Sequence, residues 1–276
     1  MNNKPLIADV SATRNRLRVS GADRVDFLHG QCTNEIRRLR AGESCYAAFL
    51  NAKGKMRGEG QAICLADAFL LEVNPGLMAS LEKFVITEDV TIEDVSATLG
   101  EWIVIGGSSL GGPRSVVAAQ AVTFPHPLGL GVISDTPMAA TMNAEMLEVL
   151  RIEAAVPTWG VDMDENTIPN EAGLEARAIN YDKGCYIGQE TIARIKTYGH
   201  VNRRLIQCLV ESAQVPKCGD KILAEGREVG HITSAGHSSR LGKPLALGYV
   251  RREFATAGIK LNWNNETVEV LRVCGE

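Results

Sequence analysis

The chain has 276 residues, 45% hydrophobic and 22% charged, with a formal net charge of −4. That length implies two or three packed modules rather than one core, and the mild negative charge gives no global attraction for a phosphate backbone, so no direct nucleic-acid partner is expected. No apolar run approaches the ~18 residues of a membrane span, and Asp9 and Arg14 break the opening segment before a signal peptide could form. The expectation is a soluble, cytoplasmic monomer with no membrane contact.

The elements follow in chain order. Arg16 to Ser20 reads as a strand, and Gly21 turns the chain into a short helix carrying Val25, Phe27 and Leu28. Strand-like runs at Cys45–Leu50, Gly60–Leu65 and Ala68–Val73 precede a helix from Pro75 to about Val85, where Pro75 suits a first turn. Two more strands, Val90–Val95 and Glu101–Ile105, lead to a second helix near Pro113 to Gln120. Strands interleaved with two helices give a split β-α-β, ferredoxin-like module over 44–122. The breaker-rich stretch Phe124 to Gly131 is expected to return the chain to the first module, and Asn143 to Ala154 forms a helix. Beyond Gly199, about five short strands with Gly-rich turns (Leu205–Val210, Lys221–Ala224, Glu228–Thr233, Leu245–Val250, Glu266–Val273) predict a small antiparallel barrel over 200–276.

Seven cysteines, none paired at C-x-x-C spacing, exclude a disulfide framework and a cysteine-rich metal site. His29, His200, His231 and His237 have no metal-ligand spacing, so no metal is expected. The densest unusual segment is Lys183-Gly184-Cys185-Tyr186-Ile187-Gly188-Gln189-Glu190, ahead of a helix-forming run with Arg194. A thiol there faces a positive helix end, and Lys183 and Arg194, if near, would favour thiolate further. The alternative is a small buried hydrophobe in a tight turn. In Asn143–Ala154, helical spacing puts Met146, Leu150 and Glu153 on one face, so a carboxylate points where apolar residues point. It suits either a ring with adjacent N–H donors, such as a pterin or guanine, or a salt bridge to Arg151 or Arg177. Asn51-Ala52-Lys53-Gly54-Lys55 is a polar turn, either a solvated hairpin or an anion site.

The octapeptide Lys183 to Glu190 resembles the KGCYxGQE signature of the YgfZ-type folate-binding proteins, relatives of a mitochondrial iron–sulfur cluster assembly factor. Val19 to Leu28, Thr33-Asn34, Arg151-Ile152-Glu153-Ala154 and Val229 to Ser234 extend the resemblance over nearly the whole chain. It implies an α+β, three-module architecture like that of the glycine-cleavage T-protein, an aminomethyltransferase that uses tetrahydrofolate. The modules are 1–43 plus 123–199 for folate, 44–122 inserted, and 200–276 as the barrel, with folate in a central channel. The resemblance assigns Glu153 to the pterin and makes Lys183, Gly184, Tyr186, Gln189 and Arg194 folate-site residues. Cys185 becomes the reactive thiol, the cofactor tetrahydrofolate or a one-carbon derivative, and the partners client iron–sulfur proteins, including enzymes of tRNA modification. Where T-proteins carry an aspartate pair, this chain has Lys55-Met56-Arg57-Gly58-Glu59-Gly60, and Ala155 replaces the glycine of R-x-E-A-G. Glycine-cleavage activity is therefore not expected, and a one-carbon transferase or demethylase using Glu59 is the alternative.

Overall fold

The computed structural model describes residues 4–106, 117–118 and 121–276. It divides into two compact units, Met1–Ala144 with Ala178–Gln189, and Glu145–Arg177 with Glu190–Glu276.

The first unit carries β1 (Leu6–Asp9), β2 (Asn15–Ser20), α1 (Arg24–Gln31), β3 (Ser44–Leu50), β4 (Met56–Cys64), β5 (Phe69–Val73) and α2 (Leu77–Glu82). It continues with β6 (Thr91–Asp94), β7 (Gly100–Ile105), β8 (Val117–Ala118), β9 (Ala121–His126) and β10 (Gly129–Ser134). One sheet runs β3-β4-β5-β2-β6 and the other β1-β7-β10-β9-β8. Residues Leu17 and Val19 of β2 and Phe69, Leu71 and Val73 of β5 pack with Phe27 and Leu28 of α1 and Leu77 and Leu81 of α2. On the opposite face, Ile63 and Leu70 meet Phe124 and Ile133 of the second sheet. Covering both faces explains why β5 is buried at every position and lacks the alternation of a half-exposed strand.

Two expectations change here, and a third falls mostly outside the described residues. Strand β2 pairs with β5 and β6, so the expected module boundary at 43/44 runs through a single sheet. The breaker-rich stretch is the β9–β10 hairpin, pairing Leu130 with Pro125. Among the described residues, strand β8 pairs with β9 at Ala121 and Val122. The helix expected near Pro113 to Gln120 lies outside the described residues, apart from Val117–Ala118, which form β8.

Helix α3 (Ala144–Glu153), α4 (Glu175–Ala178), α5 (Gln189–Tyr198) and strands β11 (Arg203–Val210), β12 (Lys221–Ala224), β13 (Arg227–Ser238), β14 (Lys243–Arg251), β15 (Lys260–Trp263) and β16 (Glu266–Val273) follow. The strands close into a six-stranded barrel, β11-β14-β13-β12-β15-β16, around Ile206, Cys208, Ile222, Ile232, Val268 and Val270. Four-residue β15 is the strand beyond the five expected. Helix α3 also differs from expectation, since Met146 is 48% exposed and the buried residues are Arg151 and Ile152. Ile152 packs on Leu205, Leu245 and Leu247, while Arg151 is drawn inward by ion pairs, so charge sets this helix's orientation where apolar spacing pointed elsewhere.

Candidate functional site

The signature segment forms an arch over the end of α1. The Lys183 ammonium is buried and donates to the carbonyls of His29 (2.7 Å) and Cys32 (2.6 Å), accepting groups that the helix end leaves unpaired. It also lies 4.9 Å from the centroid of the Tyr186 ring. Burial lowers the Lys183 pKa and pushes the buried Tyr186 phenol up to about 12. At the other foot, Ile187 N donates to Gly30 O at 3.0 Å. Lys183 and Tyr186 are thus committed to holding the loop, and the Lys183 charge serves the helix end. Gly184 and Cys185, between the two feet, are exposed.

The arch is braced from a second side. Gly188 has φ +84°, and a Cβ there would stand 2.5 Å from Asn51 O and 3.2 Å from Gly54 Cα. Only glycine satisfies both the left-handed backbone and the close approach. The 51–55 turn is organised by Asn51 Oδ1, which accepts from Lys53 N (2.9 Å) and Lys55 N (3.1 Å), the Asx arrangement of a hairpin.

In the second unit, Glu153 closes α3 with its side chain 15% exposed. One carboxylate oxygen accepts from Ser238 Oγ, and the other lies 3.8 Å from Arg240 Nε. Neither Arg151 nor Arg177 supplies the partner. The Glu153 carbonyl accepts from Gln207 Nε2 (3.0 Å) and Arg272 Nη2 (2.8 Å), fixing the helix end to the barrel. An oxygen with only a long contact to an exposed arginine keeps capacity to accept further hydrogen bonds. Arg194 is exposed on α5 in this unit.

Arg151 instead serves Asp162, whose side chain is wholly buried. Asp162 Oδ2 accepts from Arg151 Nη1 (2.7 Å) and Thr158 N (3.0 Å), and Oδ1 from Ser234 Oγ (2.8 Å) and Thr233 Oγ1. The Asp162 carbonyl accepts from Tyr249 OH at 3.0 Å. No sequence signal separated this aspartate from its neighbours.

Glu59, the one carboxylate offered where T-proteins hold their aspartates, is buried in the first unit and paired with Arg14 Nη1 at 2.6 Å. Arg14 also pairs with Glu72. Burial opposes the Arg14 charge, but the two carboxylates overcome it and hold the guanidinium well above its ordinary pKa. Among the described residues no group of three or more His, Cys, Asp or Glu side chains could hold a metal ion.

Residues 203–271 match the glycine cleavage T-protein C-terminal barrel domain. The chain is 28% identical to a chloroplastic protein of Arabidopsis thaliana over 88% of its own length and 65% of that protein, so it spans just under two thirds of this relative. It is also 28% identical to the tRNA-modifying protein YgfZ of Yersinia pestis, over 79% of this chain and 76% of that one. The glycine cleavage aminomethyltransferase T of Bartonella henselae shares the fold, with a TM-score of 0.82 at 17% identity, covering 98% of this chain and 86% of that one. Fold and barrel define a T-protein-like protein. Within that class it is similar to the YgfZ type, as the Yersinia pestis relative and the run Lys183 to Glu190 indicate.

Proposed function

We propose that this protein binds tetrahydrofolate or a one-carbon derivative and acts as an accessory factor for iron–sulfur proteins, tRNA-modifying enzymes among them, with Cys185 as its working thiol. The observation that carries this reading is the exposed Cys185 held between two fixed feet, a placement that serves chemistry better than packing. A buried structural cysteine would need no such frame. Glu153, largely buried with acceptor capacity to spare, would receive the adjacent N–H donors of the pterin. Of the other residues that the resemblance assigns to folate, Gly184 and Gln189 would serve from the first unit and Arg194 from the second, while Lys183 and Tyr186 would contribute by holding the loop of the first.

Aminomethyl transfer is not part of this reading, because the Glu59 carboxylate is occupied by Arg14. A positioned acid–base group is worth about 10²–10⁴-fold in rate, so its engagement elsewhere would leave binding intact and transfer severely weakened. The deciding experiment is maturation of a four-iron cluster enzyme in cells carrying wild type or Cys185→Ala. Loss of client activity with unchanged client abundance is expected; a fully matured client in the variant would remove the proposal. Folate affinity supplies a separate check, with Glu153→Gln expected to bind roughly ten- to a hundredfold more weakly.

A further inference from the structure

His29 stands beneath the arch and had no role in the sequence reading. Its side chain is 3% exposed, yet Nδ1 makes no hydrogen bond among the described residues. The Glu35 carboxylate lies 3.3 Å from that nitrogen, outside hydrogen-bond geometry. The other ring nitrogen, Nε2, faces the arch, and a Cβ on Gly184 would stand 3.5 Å from it. Gly184 passes over the ring and Cys185 follows it in the chain, between the Lys183 and Ile187 anchors, both of which grip the same helix end. Burying a polar ring without full hydrogen bonding costs free energy, so packing alone does not account for a histidine here.

We propose that His29 is the residue that takes up the proton of Cys185 when this thiol acts, with Glu35 steadying the ring from its far side. The inference rests on the reading of Cys185 as a working thiol and adds the group on which that thiol depends. Burial, and after it the Lys183 ammonium, lower the His29 pKa, so the ring is neutral and able to accept a proton. Glu35 and Asp26 pull the other way, and Arg37 reinforces Lys183. With an alkylating probe the step is explicit. The sulfur attacks the methylene of iodoacetamide, the thiol proton passes to Nε2, the S–C bond forms, and iodide leaves.

The test is iodoacetamide labelling of the full chain from about pH 6 to about pH 9, read at each cysteine by mass spectrometry, with exposed Cys218 as the internal reference. Near neutral pH, wild-type Cys185 should label roughly tenfold faster than Cys218, and His29→Gln should remove that advantage and move the pH profile to that of Cys218. Gly184→Ala sets a methyl in ordinary contact with the ring, and Glu35→Gln weakens it as a base; each should slow Cys185 several-fold and keeps the test open if His29→Gln fails to fold. Fast labelling with an unchanged profile in these variants overturns the role of His29 and leaves the working thiol standing. Wild-type Cys185 labelling no faster than Cys218 at any pH overturns both.

Discussion

Asp162 in the second unit and Glu101 in the first are both carboxylates buried beside an arginine, and their surroundings treat them oppositely. Asp162 accepts from Arg151, Thr158, Thr233 and Ser234, so both oxygens are filled. Glu101 has Arg16 Nη1 at 4.0 Å, and its Oε2 has no hydrogen-bond partner among the described residues. The reason lies in Arg16, whose guanidinium donates to the carbonyls of Leu99, Ser11, Arg14 and Ser96 and has little left to offer. Burial, then the neighbouring charge of Glu72, raises the Glu101 pKa well above the ordinary carboxylate range. A buried acid is an anchor when every lone pair is met and a proton store when it is not.

The sharpest way to break this comparison is Asp162→Ala, which strands Arg151 in the interior and should cost about 3–5 kcal/mol in urea unfolding. A loss as small as that of a surface substitution would show that the network is not an anchor. Lys183→Met comes next. Removing charge-assisted bonds to two helix-end carbonyls should cost about 1.5–3 kcal/mol and raise hydrogen exchange at Ile187, the opposite foot of the arch. Unchanged exchange there would mean that the loop holds itself.

Glu101→Gln should reverse the sign. The folded state binds this proton more tightly than the unfolded chain, so the stability it contributes is complete below the unfolded value, about 4.3, and is lost as pH rises through the higher folded value. Glutamine stays neutral throughout, so the variant should match wild type below about pH 4 and exceed it by about 1 kcal/mol in alkali. A variant less stable than wild type at every pH would show that Glu101 is held as an anion. Smallest of all is the stability effect of Glu153→Gln, expected within about 0.5 kcal/mol because Gln can retain the Ser238 contact and Arg240 is exposed. A larger loss would class Glu153 with Asp162.

Much of the fold was legible because local rules and tertiary structure agree. The strands of the first sheet and the barrel alternate or run apolar as expected, and the turn signals fall between them. Prediction failed where a charged contact or a strand pairing decided the outcome. Helix α3 turns on Arg151, which apolar spacing counts as polar and outward, and Pro125 was read as a breaker although it stands within the β9–β10 hairpin. The arch residues were legible as a motif, but the direction of Lys183 and the placement of His29 depend on contacts more than 150 positions apart along the chain. Ala155 shows the same limit on a smaller scale. It leaves α3 with φ 56°, a left-handed conformation that favours glycine, and nothing local announces that alanine bears it here.

The contact between Gly188 and Asn51 has a consequence for anyone reshaping this protein. A grafted signature loop would bring its own cysteine but not its mould, since the hairpin backbone against which Gly188 rests is contributed by a segment far upstream. Residues 29–32, 51–54 and 183–189 are therefore the smallest transplantable part, and a library that randomises one of them while keeping the others would mostly sample chains that cannot close the arch.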